Sequence, residues 1–461
     1  MRHASGKGRA MIRGIVFLLA ATLLALAVTS GALAGQDDAA PGADMEQAAA
    51  PGDPASPAGL FERATLTGDW GGARTWLADH GVTLKLRLTQ FYQGMPAGQG
   101  SHDFKYGDKA DFQVTTDFSK LGLWKGMSAT VHGEYNFGQS VNGYGGTLMA
   151  VNTALELPGL GGYNAFDLSS LYATQTFGDV VSLTAGKISA IDLSVSKPFM
   201  GGAGIDSFWN ILFTAPPSGT VPAYMLGAIL NVNTGPALLS AWVYDPNSVV
   251  NATGLDEPFK DGFTVRGSVS VPVTIAGLAG HQGLAASYSN QPGKDFETLD
   301  DIEPKKSSSS SSTSSTTEVE SPSSNAMKNA RYYGAYSFDQ YLYQSAANPK
   351  EGIGLFGQVG LSDGNPNWLR WSMLAGIGGT GLIPGRHLDN YGVGYSYASP
   401  APGLRALDGL RTPIKDEQCL EVFYNFAVTP WMVLGADFQV IKPSKANDTA
   451  IFTGLRLVIT F

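Results

Sequence analysis

From residue 82 to residue 461 the chain repeats one pattern. Runs of roughly 9–14 residues alternate apolar and polar side chains and are separated by turn-like links. Sixteen such runs are legible: 82–93, 110–118, 127–139, 166–177, 180–188, 222–233, 237–245, 263–273, 281–290, 331–343, 350–362, 368–379, 389–398, 417–428, 430–441 and 449–461. A strand points successive side chains to opposite faces, so alternation gives one oily face and one wet face. In the first run Val82, Leu84, Leu86 and Leu88 oppose Thr83, Lys85, Arg87 and Thr89. In the fifteenth, Met432, Leu434, Ala436, Phe438 and Val440 oppose Val433, Gly435, Asp437 and Gln439. Runs 166–177 and 222–233 alternate less regularly. Tilted strands of about ten residues cross a bilayer. No stretch after residue 34 offers 18 consecutive apolar residues, which argues against spanning helices. Mean hydropathy of −0.02 with only 15% charged residues suits strands that are apolar at every second position. The reading is all-β: a transmembrane antiparallel β-barrel of about 16 strands.

The links support it. Those after odd-numbered runs tend to be long (94–109, 140–165, 189–221, 246–262, 291–330, 399–416), and those after even-numbered runs tend to be short, such as Gly178-Asp179 and Thr234-Gly235-Pro236. Bacterial outer-membrane barrels have short periplasmic turns and long external loops. The link 363–367 is short where a long loop is expected. An even strand number places both ends in the periplasm. The last run ends in Ile451, Leu455, Leu457, Ile459 and Phe461 on one face, an aromatic-terminated strand of the kind that barrel assembly machinery reads.

Outside the repeats the chain changes character. Residues 1–34 read as a secretory signal peptide, with Arg2, Lys7, Arg9 and Arg13 before the apolar core Ile15 to Val28 and an Ala32-Leu33-Ala34 cleavage site. Residues 35–59, rich in Ala, Pro, Gly and Asp, read as a flexible periplasmic leader, leaving 60–461 as the barrel. The serine tract 307–324 reads as a solvated external loop. Removing the four basic residues of the signal takes the formal charge from −9 to −13, which disfavours nucleic-acid partners. A single cysteine, Cys419, gives no disulfide and no placed catalytic partner.

Catalytic and metal motifs are weak. Gly360-Leu361-Ser362-Asp363-Gly364 has the spacing of a nucleophile elbow, but Asn365-Pro366-Asn367 and another strand follow where a helix is required. His132 and Glu134 share a strand face, but no further histidine is placed to complete a metal site. No cofactor, no metal and no enzymatic activity are expected. Asp69-Trp70-Gly71-Gly72-Ala73-Arg74 precedes a short helical stretch, reading as a brace for the first strand or as a segment narrowing the periplasmic exit.

Several segments resemble the OprB-type carbohydrate-selective porins: LTGDWGGARTWLADHGVTLKL (66–86), AGKISAIDLSVSKPF (185–199), FWNILFTAPPSGTVPAYMLGA (208–228), GLFGQVGLSDGNPN (354–367), GLIPGRHLDNYGVGYSYAS (381–399) and EVFYNFAVTPWMVLGADFQVIKPS (421–444). The resemblance runs over about 60–461. It implies a sixteen-stranded, monomeric outer-membrane barrel passing glucose-like monosaccharides without energy input. A general porin without sugar preference, or a barrel enzyme, are the alternative readings. Projected inward, the alternation nominates Lys85, Arg87, Asp111, Asp117, His132, Glu134, Arg266, Arg370, Glu421, Asp437 and Arg456 as pore lining. Such donors beside carboxylate acceptors suit sugar hydroxyls. Loop 189–221, with Asp192, Lys197, Asp206, Trp209 and Asn210, is too apolar to stay in water and is expected to fold inward as a constriction. Trp368, Trp371, Trp431, Tyr391, Tyr395 and Tyr397 are expected at strand ends as interfacial girdles.

Overall fold

The computed structural model describes residues 59–158, 165–194, 197–247, 250, 252–297, 327–405 and 414–461. The expected signal peptide 1–34, the leader 35–59 (all but Gly59) and the serine tract 307–324 lie outside the described residues.

Sixteen antiparallel strands close into one barrel: β1 (Val82–Ala97), β2 (Phe104–Asp117), β3 (Met127–Gly138), β4 (Ala165–Phe177), β5 (Val181–Ser189), β6 (Tyr224–Asn233), β7 (Leu238–Tyr244), β8 (Thr264–Ile275), β9 (Leu278–Ser289), β10 (Arg331–Gln344), β11 (Gly352–Ser362), β12 (Leu369–Thr380), β13 (Asn390–Pro400), β14 (Glu417–Thr429), β15 (Met432–Lys442) and β16 (Ala450–Thr460). Each strand pairs with its sequence neighbours, and β16 closes on β1 with Arg87 opposite Thr460 and Gly94 opposite Thr453. Closure leaves no unpaired edge, the condition for strands to cross a bilayer.

The alternation resolves as read. On β16, Leu455 is 52% exposed on the outer wall while its neighbour Arg456 is fully buried inside. Tyr92, Leu284, Leu361, Val422 and Phe438 continue the apolar exterior around the barrel, a surface that only a bilayer can cover. β2 differs from the sequence reading, whereas β4 has the irregular alternation read for that run. β2 starts at Phe104, because Lys105, Asp108 and Lys109 hide the period. β4 alternates irregularly because the register slips by one residue between His132 and Gly133, which face Ser170 and Leu168.

The segment before β1 is a brace. Asp69 accepts hydrogen bonds from the Thr75 amide and hydroxyl, both 2.8 Å, and so fixes the start of α1 (Ala73–Asp79). Arg74 stacks on Trp70, 4.5 Å to the ring, and donates to the Phe461 carbonyl at 2.7 Å. Trp431 donates its indole N–H to the Leu60 carbonyl at 2.7 Å, so this ring fixes the N-terminal segment to the last turn. Trp371 and Tyr397 stack 4.8 Å apart at the external end, and Tyr391 and Tyr424 lie 6.2 Å apart near the other.

Candidate functional site

Two external loops fold into the barrel. Residues 190–194 and 197–223 lie inside, and residues 139–158 lie beside them. Met149, Val151, Ala154, Phe208, Trp209, Leu212 and Phe213 are all buried. The wall makes room with glycines: a Cβ on Gly392 would stand 2.8 Å from Phe208, and one on Gly394 2.5 Å from Phe213. The YGVGY stretch of β13 thus sends Val393 outward and seats the loop inside.

Wall carboxylates and amides hold the loop backbones. Glu421 accepts the N–H of Trp209 and, at 3.1 Å, that of Asn210. Asn210 caps the short helix α3 (Ile211–Thr214; α2 is Thr153–Glu156) through Leu212 N and donates to Gln439 at 3.1 Å. Gln439 donates to Asp437 and to the Val151 carbonyl, both 2.8 Å. Glu417 accepts from Leu148, Met149 and Ser444 amides. Arg456 donates to the carbonyls of Gly204 (2.8 Å) and Ser207 (3.1 Å) and to Asn425 (2.7 Å), and lies 5.1 Å from the Trp209 ring. Trp209 meets Phe91 edge-on at 5.1 Å.

A charge network ties the same loop to β1–β3. Arg87 reaches both oxygens of Asp206 at 3.0 Å and Asp111 at 3.8 Å. His132 lies between Asp111 (3.3 Å) and Asp192 (2.9 Å). Lys109 pairs with Glu134, which also accepts from the Tyr224 hydroxyl at 3.0 Å. Burial alone would raise the Asp192 carboxyl, but His132's charge and hydrogen bond outweigh it and hold Asp192 below the usual range. Asp111, His132 and Glu134 bring ligand atoms within 4.8 Å of one another. Their polar atoms already meet Arg87, Asp192, Lys109 and Tyr224, so the arrangement is an ion-pair network fixing the loop.

The opposite wall is different. On β7–β11 the inward Ser240, Ser268, Ser270, Ser337, Asp339 and Gln358 remain partly exposed and His281 is exposed, while the in-folded loop touches this wall through Phe199, 4.7 Å from the Tyr341 ring, and Thr220, 2.8 Å from the Ser287 hydroxyl. His281 pairs with Asp339 at 2.9 Å, and Gln358 donates to the Tyr333 hydroxyl at 3.4 Å. Arg266 lies over the Trp242 ring at 5.4 Å. Lys197 projects exposed from the in-folded loop. Burial of its ammonium, and then the charge of Arg266, push its pKa down to about 8, with Asp339 pulling the other way.

The remaining sequence-nominated residues lie elsewhere. Lys85 is exposed near the periplasmic end of β1. Asp117 accepts from Ser119 N in a periplasmic turn. Arg370, at the external end of β12, donates to the carbonyls of Ser362 (2.7 Å) and Asp363 (3.0 Å). The Ser362 hydroxyl donates to the Leu369 carbonyl at a strand-to-strand turn without a helix, which excludes a nucleophile elbow. Sequence reading missed Lys109, Asn425, Gln439 and the entry of loop 139–158. Extending the second run by one residue would have placed Lys109 on the face of Asp111, and Gln439 shares a face with Asp437.

Comparison with known proteins fits this architecture. A family model described as "Carbohydrate-selective porin, OprB family" matches residues 101–461. No curated protein matches the chain by sequence. The high-pH structure of Pseudomonas putida OprB superposes with a TM-score of 0.72 at 18% identity, covering 88% of this chain and 100% of that one. The low-pH structure of the same protein gives 0.50 at 15% identity, covering 87% and 99%.

Proposed function

Given that the chain belongs to the OprB family of carbohydrate-selective porins, and is an outer-membrane transport channel and not an enzyme, we propose that sugars cross it along the β7–β11 wall, past the in-folded loops. The observation that carries this reading is the asymmetry of the lumen. Loops 139–158 and 190–223 cover the β11–β16 and β1–β3 side, while serine hydroxyls, Gln358, Asp339 and His281 on the other side stay open. A hydroxyl both donates and accepts, so this lining can replace the water around a glucose-like monosaccharide in transit. Contacts must stay weak, because a tight site slows exit. The loop residues Asp192, Asp206, Trp209 and Asn210 act by holding the narrowed shape, with Arg87, Asp111, His132, Glu134, Glu421, Asp437 and Arg456 as their wall anchors. The apolar exterior all around the barrel supports a monomer in lipid. The Phe461-terminated strand supports recognition by barrel assembly machinery.

The test is a planar-bilayer recording with glucose titrated against ion current. The current falls saturably in the wild type, and Ser268→Phe, which fills the open side, lowers the starting conductance. A conductance untouched by Ser268→Phe, with loss of current when β13 is filled at Gly392→Phe instead, would relocate the path.

A further inference from the structure

On the open wall three neighbouring buried polar atoms lack protein hydrogen-bond partners, and a further cation stands near one of them. Trp242 on β7 faces Arg266 on β8 in register, and Tyr244 faces Thr264 two pairs further on, on the same face. The Arg266 Nε, the Trp242 Nε1 and the Thr264 Oγ1 are all buried without a hydrogen-bond partner. The Lys197 ammonium lies close enough to Arg266 for the two charges to act on each other. Among the described residues neither cation has a hydrogen bond or an ion pair. This contrasts with Arg87 and Arg456, whose guanidinium groups are committed to loop atoms. Buried donors left unpaired in a native protein call for a partner that the protein itself does not supply. Two of these are cations, and three of the four atoms can only donate, so the missing partner is an acceptor with negative charge.

We propose that Lys197, Arg266, Trp242 and Thr264 form an anionic subsite in the channel that takes the carboxylate of a sugar acid, so that aldonates or uronates pass in preference to neutral sugars. This rests on the path along β7–β11. The guanidinium and ammonium meet the carboxylate as charge-assisted donors, while the neighbouring Ser240 and Ser268 hydroxyls face the polyol.

Gluconate, glucose and acetate are titrated separately against channel current in planar bilayers. Gluconate is expected to half-saturate at about tenfold lower concentration than glucose, the scale of one charge-assisted hydrogen bond. In Arg266→Gln and in Lys197→Gln that ratio falls toward one, with Arg266→Lys restoring part of it. Strand content by circular dichroism and the single-channel conductance at zero sugar verify that each variant is folded. Trp242→Phe, which removes one donor and keeps the ring, lowers the ratio by a smaller factor. Equal half-saturation for gluconate and glucose overturns the subsite while leaving the sugar path standing. Acetate acting as strongly as gluconate overturns it as a sugar site. No response to glucose or gluconate overturns the path and the subsite together.

Discussion

At the position of Arg456 a guanidinium lies fully buried against an aromatic ring and satisfies two loop carbonyls and an amide oxygen. Its role follows from what its removal leaves behind. Arg456→Met strands the acceptors of Gly204, Ser207 and Asn425, and we expect a loss of about 3–5 kcal/mol in urea unfolding from lipid or detergent, as for a broken buried charge system. A loss within experimental error would mean that the loop is not fastened there. Lys197 makes a prediction of the other kind. Arg266, Asp339 and His281 are the charged or titratable groups around it on the facing strands. With a pKa of about 8, its ammonium is charged below that pH and neutral above it. Gluconate affinity should therefore hold at pH 7 and fall as pH rises past 8, while Lys197→Gln should flatten that profile. A wild-type profile that stays flat to pH 9 would refute this.

Loop 190–223 is a structural element with two fastenings, a charge network toward β1–β3 and backbone hydrogen bonds toward β14–β16. Each reaches the loop from strands distant in sequence, so the position of the loop is set by closure of the barrel. Loosening one fastening widens the path without dissolving the other. Asp206→Asn weakens the paired contact to Arg87 by about 1–3 kcal/mol, and mean conductance and current noise should both rise. Deleting residues 200–207 would go further, since Gly204 and Ser207 also accept from Arg456. Unchanged conductance in Asp206→Asn would mean that the loop edge does not border the path.

The whole molecule is an oily cylinder, and the proposed path runs off-centre within it. All sixteen strands contribute to its exterior, and among the described residues no polar face breaks the belt broadly enough to demand a partner subunit. We expect the detergent-solubilised protein to scatter light as one chain of 48.4 kDa before detergent correction, less any removed leader. A stable trimer would contradict the monomer. The charge of the path also emerges only at this scale. The chain is acidic at −9, but Asp111, Glu134, Asp167, Glu417, Glu421 and Asp437 are buried in contacts with protein groups, and among the described residues the cations Lys197 and Arg266 have no hydrogen bond or ion pair.

The sequence by itself determined the barrel, because a period of two residues over some ten residues, repeated sixteen times with links of alternating length, has few other solutions in a bilayer. The expected runs and the observed strands differ by a few residues at most ends, and the exception, the start of β2, lies where Lys105, Asp108 and Lys109 blur the period. The same alternation put Arg87, Asp111, His132, Glu134, Glu421, Asp437 and Arg456 on the inner face, and the apolar content of 189–221 drew that loop inside. Parity, however, reports a face and not a neighbour. It could not tell Arg456, spent on loop carbonyls, from Arg266, left without a partner, and it gave Arg370 no reason to sit at the external mouth. It also left the inward turn of 139–158 unseen, since Met149, Val151 and Leu155 become a core only when Phe452, Phe91 and the second loop close around them. Those distinctions depend on contacts between strands hundreds of residues apart, which local periodicity does not encode and the closed sheet creates.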